Sequence, residues 1–530
     1  MDELKTALPA EGSTSCAQKR KLPEESMARY RRNLLLTLGF CLLLADALGW
    51  PWGMGNTATV FAWYLLLALA VGPEALFRRR ESQVLLGVNL ALASTFALTS
   101  NPLFRWWNFL ALAALVPLHA VAGLGARAWW DPWMLWERCG LFFQGLFGNL
   151  WACFAAAMPE GRKREKPEGD GRTLTIVLGT CGAVALVSFL IPVLASADAL
   201  FAASLERLNW WSLLFRLQIS NLGDLLGRLF WALVFTPFVF SLLYAMGHPR
   251  LLCPTEEKKG FRADALGFVL ALAAVDGLYL AFLAVQSAGL FGGPEYVESL
   301  GVSYADWARS GFFQMVGVTV LNLSLTLGSL SLARREGRAW TALRGLCAAL
   351  AGESLVLLAS AAWKMTLYVS AYGLSFKRCM TYWGMVMMAL FLLMGLWKAL
   401  KPEFRFCKWA FPAALAGWLL INCVPVDYLV AKNQVDRYLS GESPGVSVQY
   451  LLYSLSYDTI SQLERLDGER LVADYTGDSY WRRGETLAET LQGRRVDAQW
   501  ACAGWRGWNL SACLAGGGSF FPQRGELYSP

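Results

Sequence analysis

Long apolar runs, separated by short polar stretches, dominate the chain from residue 33 to residue 430. Each run has about 18 residues or more, which is enough for a helix to cross a hydrocarbon layer of roughly 30 Å. The pattern predicts about 11 membrane-spanning helices, at residues 33–50, 57–77, 84–100, 107–125, 174–196, 225–247, 264–289, 311–333, 341–371, 380–400 and 409–430. The predicted fold class is an all-α polytopic membrane protein with a small, mainly helical C-terminal region outside the membrane.

Two further apolar segments leave the number of spans open. Residues 139–158 are apolar enough to span but have Arg on both sides, which favours a helix at the cytoplasmic face or a re-entrant segment. Residues 198–220 mix Trp210 and Trp211 with charged residues, a composition typical of an interfacial helix. If only one of these segments spans, the C-terminus changes sides.

Positive charge predicts the orientation of the spans, because cytoplasmic loops carry an excess of Lys and Arg. With 11 spans, every basic cluster falls on one side. Among the cluster residues are Lys19, Arg20, Lys21, Arg29, Arg78, Arg79, Arg80, Arg138, Arg162, Lys163, Arg334, Arg335, Lys401, Arg405 and Lys408. The N-terminus is then cytoplasmic and the C-terminus extracytoplasmic. The net charge of +7 is explained by loops that face anionic lipid, so the expected partner is the lipid bilayer and no nucleic acid is implied.

The composition of the chain is also typical of a membrane protein. Of 530 residues, 55% are hydrophobic and only 16% are charged, where soluble domains carry about a quarter charged residues. We expect residues 1–32 to be a disordered cytoplasmic tail, residues 33–430 to be the transmembrane region, and residues 431–530 to be the extracytoplasmic region. The C-terminal region is the expected docking surface for an envelope or membrane-protein partner.

A few polar residues interrupt the apolar runs. Asp276, Asn322 and Glu353 lie at similar depth near the centres of three consecutive spans, and Lys364 and Tyr368 continue the face of Glu353 towards the outer surface. These five residues form a predicted polar seam. They either pair with each other and fix helix packing, or line a path for a proton, an ion or a polar substrate. A single buried histidine, His119, is expected to be a satisfied core residue.

Cysteine and histidine usage restricts the possible chemistry. Cys502 and Cys513 are the only two cysteines of the C-terminal region, and they either form a disulfide or remain two free thiols. The chain has two His, which excludes an HExxH metalloprotease. We expect no metal site and no cofactor.

Four motifs carry a resemblance to a known family: YADWARSGFFQ, LYVSAYGLSFKR, NQVDRYL and QYLLYSLSYDTISQL. Over roughly residues 180–470 the chain resembles multi-pass membrane proteins of Firmicutes and other bacteria, catalogued as a domain of unknown function of the 4173-type, related to the 4153-type. The resemblance implies a bacterial plasma-membrane protein and supplies no catalytic residue. It groups six residues near the outer surface: Tyr304, Arg309, Gly311, Tyr372, Gly373 and Arg378. Asp306 completes the predicted outer-surface motif of seven residues. Asp306 and Arg309 also have the spacing of a helical ion pair.

Three classes of function fit the sequence. The leading hypothesis is a membrane scaffold, sensor or envelope-assembly factor that acts through its C-terminal region. The alternative is a secondary transporter of an ion or a small polar or anionic substrate, which would use the polar seam. A lipid-linked glycosyltransferase-like enzyme is the weakest, because the first outer loop, PWGMGNT, contains no acidic residue; whether the chain is an enzyme stays open.

Overall fold

The computed structural model describes residues 26–49, 52–77, 79–125, 127–131, 133–157, 222–248, 262–286, 312–476 and 485–517. Within these ranges the chain is helical, and the only β-type pairings are isolated bridges between Ala263 and Ala333 and between Leu471 and Thr486. The all-α fold class is therefore confirmed. Two predicted segments, 174–196 and 198–220, lie outside the described residues.

The membrane part contains most of the helices. They are α1 (Met27–Ala47), α2 (Met54–Ala70), α3 (Glu74–Phe77), α4 (Arg80–Leu98), α5 (Pro102–Ala120), α6 (Met134–Gly148), α7 (Leu150–Ala157), α8 (Leu222–Gly247), α9 (Ala265–Gln286), α10 (Phe312–Leu332), α11 (Gly337–Tyr372), α12 (Phe376–Leu400) and α13 (Phe406–Cys423).

Seven helical stretches of the described chain are long and apolar enough to cross a membrane. They are Arg80–Leu98, Met134–Ala157, Gly227–Gly247, Ala265–Val285, Gly337–Tyr372, Phe376–Leu400 and Phe406–Cys423. A membrane location follows from their length and composition. The total of about 11 spans stays a prediction, and so does the placement of residues 139–158, of which 139–157 fall within the stretch Met134–Ala157.

The C-terminal part is built from shorter helices. They are α14 (Val426–Leu439), a π-helical turn (Tyr450–Ser454), a 3-10 turn (Tyr457–Thr459), α15 (Ile460–Leu463), α16 (Val472–Thr476), α17 (Leu487–Cys502) and α18 (Leu510–Ala515). Helix α14 crosses the predicted domain boundary at residue 430. Its buried side chains share one apolar core with buried residues between Val446 and Tyr475, with Leu487 and Leu491, and with Phe104 and Phe376 of the membrane helices.

The chain divides into two compact units. One contains residues 1–46 and 149–241, and its described part includes an ion pair of 2.8 Å between Arg228 and Asp46. The other contains residues 47–148 and 242–530. All the sites described below lie within this second unit.

Candidate functional site

The predicted polar seam begins in a bundle of α9, α10 and α11, in which α11 packs against both α9 and α10. Asp276 of α9, Asn322 of α10 and Glu353 of α11 are all buried. The stripe of polar residues on α10 is buried too, since Thr319, Thr326 and Ser329 are each at most 5% exposed. The helical spacing of these residues places them on one face of α10.

Asn322 joins all three helices of the bundle. The Tyr279 hydroxyl of α9 donates to Asn322 Oδ1 at 3.1 Å, and Asn322 Nδ2 donates to Ser354 Oγ of α11 at 2.9 Å. The Ser354 hydroxyl in turn donates to the carbonyl of Leu350 at 2.7 Å. Both ends of the Asn322 amide are thus satisfied, and the residue fixes how the three helices pack.

The two carboxyl groups have a different environment. Both carboxylate oxygens of Asp276, and Oε2 of Glu353, are buried and have no hydrogen-bond partner among the described residues. The Thr319 hydroxyl is also buried and has no hydrogen-bond partner among the described residues. Asp276 lies within electrostatic range of Glu353. A charged carboxylate without donors is costly inside a membrane, so this carboxyl pair is suited to hold a proton or a cation.

Tyr368 and Lys364 continue α11 towards its C-terminus. Tyr368 is buried and Lys364 is half-buried. The Arg378 guanidinium lies 4.1 Å from the centre of the Tyr368 ring, and the Tyr368 and Tyr372 rings are 5.2 Å apart. Tyr368 therefore connects the seam with the outer-surface residues that the family resemblance singled out.

The outer-surface residues of the described chain form the C-terminal cap of α11. Gly373 ends the helix with φ +72°, a conformation that favours glycine. Arg378 donates to the carbonyl of Tyr372 at 3.0 Å and also to that of Gly373. A cation at a helix C-terminus is favourable because carbonyl groups there lack partners. The other four residues of this group, Tyr304, Asp306, Arg309 and Gly311, lie outside the described residues.

The structure brings three of the family-like motifs into contact. Asn433 Oδ1 accepts the Leu374 amide at 2.7 Å, and Gln434 donates to the Leu374 carbonyl at 2.6 Å. Arg437 donates to the carbonyls of Ser370 and Ala371 at 2.8 and 3.2 Å.

The third motif closes the same loop, because the Tyr450 hydroxyl accepts the Phe376 amide at 3.0 Å. Helix α14 and the π-helical turn therefore clamp the α11–α12 loop, an arrangement that we call the α14 clamp. Apart from the likeness of these motifs to one family, no pattern in the sequence indicates this contact.

A buried polar node connects α5 with the C-terminal part. Asn101 Nδ2 contacts both carboxylate oxygens of Asp427 at 2.8 Å, and the Ser456 amide donates to Asp427 Oδ2 at 3.0 Å. Burial raises the pKa of Asp427, and the hydrogen bonds from Asn101 and Ser456 partly offset this rise. Asn101 also caps α5 by accepting the Phe104 amide at 2.9 Å.

The C-terminal part also contains an open cavity of about 780 Å³. Tyr457, Asp458, Glu464, Arg495 and Gln499 contribute its polar lining. Beside it, Cys502 and Cys513 are both buried in one small apolar cluster. The disulfide between them stays a prediction.

His119 lies away from these groups and fulfils its expected role. It is buried, with Ser82 Oγ 2.7 Å from Nε2 and the Tyr64 hydroxyl 3.0 Å from Nδ1. The described residues contain no group of His, Cys, Asp and Glu that could hold a metal ion.

Comparison with known proteins gives one match. A family model described as "Domain of unknown function (DUF4153)" matches residues 86–466 of the chain. Of the two related types suggested by the sequence, the match is to the 4153-type, and it does not confirm the 4173-type. No curated protein and no solved structure matches the chain.

Proposed function

We propose that this chain, which belongs to the DUF4153 family, is a secondary transporter of the bacterial plasma membrane that binds a proton or a small cation at Asp276 and Glu353. The proposal rests on a contrast between the polar side chains of one helix bundle, some of which have hydrogen-bond partners and some of which do not. Asn322 has partners on both neighbouring helices, whereas the nearby Asp276 carboxyl has none among the described residues. Purely structural polar groups in a membrane pair with one another.

The chemistry of binding follows from the two carboxyls. With a proton or a cation bound, the charge of the pair falls and its desolvation cost falls with it. Release restores a charge in an apolar bundle, which favours a rearrangement that lets water or a counter-charge approach. The hydrogen bond between Asn322 and Tyr279 would keep the packing of the helices constant while the proton or cation is bound and released. Lys364, nearer the outer end of α11, would attract a small anionic substrate.

The proposed orientation has the N-terminus in the cytoplasm and the C-terminal part outside. Arg80 begins α4 and Lys408 lies in the first turn of α13. The C-terminal part contacts the opposite ends of the membrane helices, since Tyr457 donates its amide to Ser100, just after α4. Basic residues mark the cytoplasmic side, so this arrangement supports an external C-terminal part.

Charge movement in supported membranes tests the function. Purified protein in liposomes, adsorbed on a capacitive electrode, is exposed to a jump in pH or in Na⁺ concentration. Binding at a site inside the membrane moves charge and gives a transient current even without substrate turnover. We expect a current for the wild type and its loss in Asp276→Asn and Glu353→Gln, with Ser324→Ala as a control on the exposed face of α10.

The two jumps separate the possible ligands. A current on the pH jump alone identifies a proton site, and a current on the Na⁺ jump at constant pH identifies a cation site. Currents that are equal in the wild type and both carboxyl variants would overturn the proposal.

A scaffold, sensor or envelope-assembly factor is the second candidate function. The α14 clamp and the open cavity of about 780 Å³ favour it, because they provide a rigid platform with a concave, partly charged surface. In that case both carboxyl variants would fold and retain full cellular function, while changes in the cavity lining at Glu464 or Arg495 would abolish it.

A further inference from the structure

A second cavity of about 730 Å³ lies at the opposite end of the membrane helices from the C-terminal part. The start of α4, the loop between α5 and α6, and the start of α6 and α13 line it. All four are places where an apolar helix meets the membrane surface. The cavity therefore opens at one interface of the bilayer and not at its centre.

The rim of this cavity is strongly basic. Arg79, Arg80, Arg138 and Lys408 line it, against a single acidic residue, Glu81. Glu81 forms an ion pair with Arg138, which is 1% exposed and has its Nε buried without a partner among the described residues. The nearby Asp131 is paired with Arg127 at 3.3 Å. Arg79 donates to the Ala122 carbonyl at 3.4 Å, and none of the ion pairs found among the described residues involves Arg79, Arg80 or Lys408. The charges of these three residues can therefore attract an incoming anion.

Tryptophan side chains form one wall between the cations. The Trp130 ring, which lines the cavity, has the Arg405 guanidinium 5.1 Å and the Lys408 ammonium 5.6 Å from its centre. These cation–π contacts hold both basic side chains at the rim. Trp is also the residue enriched at the level of lipid headgroups.

The inner part of the cavity is apolar. Val84 and Leu85 lie about one turn into α4, and Phe411 and Leu415 lie about one to two turns into α13. At a rise of ~1.5 Å per residue, this lining is roughly 4–11 Å further along the helices than Arg80 and Lys408 of the basic rim. A charged rim above an apolar wall matches an amphipathic ligand with an anionic head and a hydrocarbon chain.

We propose that this cavity is a binding site for an anionic phospholipid of the surrounding leaflet. The phosphate lies between Arg79, Arg80 and Lys408, and the first part of one acyl chain lies along Val84, Phe411 and Leu415. Basic pockets between membrane helices on the cytoplasmic side suit anionic headgroups. A soluble phosphate would use the rim but would leave the apolar wall empty.

Binding of defined lipids to the purified full chain tests the site. Native mass spectrometry compares phosphatidylglycerol, phosphatidylcholine and inorganic phosphate as probes. We expect the wild type to retain phosphatidylglycerol in preference to phosphatidylcholine. Arg79→Gln and Lys408→Gln should each weaken phosphatidylglycerol binding roughly fivefold, the equivalent of about 1 kcal/mol per basic residue near the surface.

Two further variants complete the design. Arg338→Gln removes an exposed basic residue at the start of α11, outside the cavity, and should leave binding unchanged, while Lys408→Arg should restore it. Equal losses in Arg338→Gln and Lys408→Gln would overturn the site. Displacement of phosphatidylglycerol by equimolar inorganic phosphate would overturn the lipid assignment in favour of a soluble anion.

Discussion

Three polar residues at similar depth in one bundle differ in what surrounds them. Asn322 makes hydrogen bonds to Tyr279 and Ser354, whereas the oxygens of Asp276 and Oε2 of Glu353 make none within the described chain. The sequence placed all three near the membrane centre, because depth follows from position along a helix. It could not separate them, since the partner of a side chain depends on helix rotation and packing.

Asn322→Leu tests the structural role of the amide. The substitution removes both interhelical hydrogen bonds at nearly constant volume, and such contacts in membranes are worth roughly 0.6–2 kcal/mol. We expect a lower midpoint of thermal unfolding in detergent. Ser324→Ala on the same helix removes a hydroxyl that bonds only to the local carbonyl of Val320, and an equal loss there would contradict the assignment.

Gly373→Ala tests the cap of α11. A Cβ at this position would lie 3.1 Å from Asn433 Oδ1 and from Arg437 Cδ, and the backbone has φ +72°. The expected cost combines backbone strain of about 1 kcal/mol or more with displacement of the α14 clamp. Gly337→Ala is the matched control, because its φ is +75° and nothing lies within 4 Å of the added Cβ.

The difference between the thermal unfolding midpoints of Gly373→Ala and Gly337→Ala isolates the effect of the close approach of α14 to residue 373. Both share the cost of the positive φ, so the difference between them reports the contact with α14. Equal destabilisation would show that Asn433 and Arg437 do not press on this loop.

Single helices were largely predictable, whereas the contacts between distant helices were not. The sequence predicted a span too long for the bilayer at 341–371, and the structure gives a 36-residue helix, Gly337–Tyr372, about 54 Å long at ~1.5 Å per residue. Hydrophobic length is a local property of the chain. By contrast, the α14 clamp joins residues about 60 positions apart through side chain to main chain bonds, which leave no periodic pattern.

Hydrogen exchange of two amides tests the α14 clamp. Asn433→Ala should speed exchange at the Leu374 amide, and Tyr450→Phe should speed it at the Phe376 amide, because each change removes the acceptor of that amide. Lys432→Ala, an exposed neighbour on α14, serves as the control. Exchange rates at both amides that match those of the control would contradict the clamp.

At the scale of the whole molecule, the distribution of basic residues and the contacts of the C-terminal part support the same orientation across the membrane. The basic cavity and the C-terminal part occupy opposite ends of α4 and α13, and the positive charges of the loops predict that the basic end is cytoplasmic. The packing of the C-terminal part was not predictable in this way. Its backbone bonds directly to the membrane loops; for example, the Trp508 carbonyl accepts the Met54 amide at 2.9 Å.

Cysteine labelling tests this polarity without depending on the number of spans. In a background without the exposed Cys139 and Cys423, Glu469→Cys places a thiol on the C-terminal part and Glu336→Cys places one before α11. Both positions are exposed. An impermeant maleimide should label Glu469→Cys in intact cells and Glu336→Cys only after lysis. The reverse order would contradict an external C-terminal part.

The most direct measurement of the central claim is the mapping of reactive carboxyls inside the membrane. Dicyclohexylcarbodiimide enters the apolar phase and modifies carboxyls that carry a proton, and peptide mass spectrometry locates the modified residue. In Na⁺-free membranes near neutral pH we expect modification at Asp276 or Glu353, and none at Asp46, which is paired with Arg228. Absence of modification at both bundle carboxyls across the accessible pH range would show that they are permanently ionised and paired, and would contradict a proton or cation site.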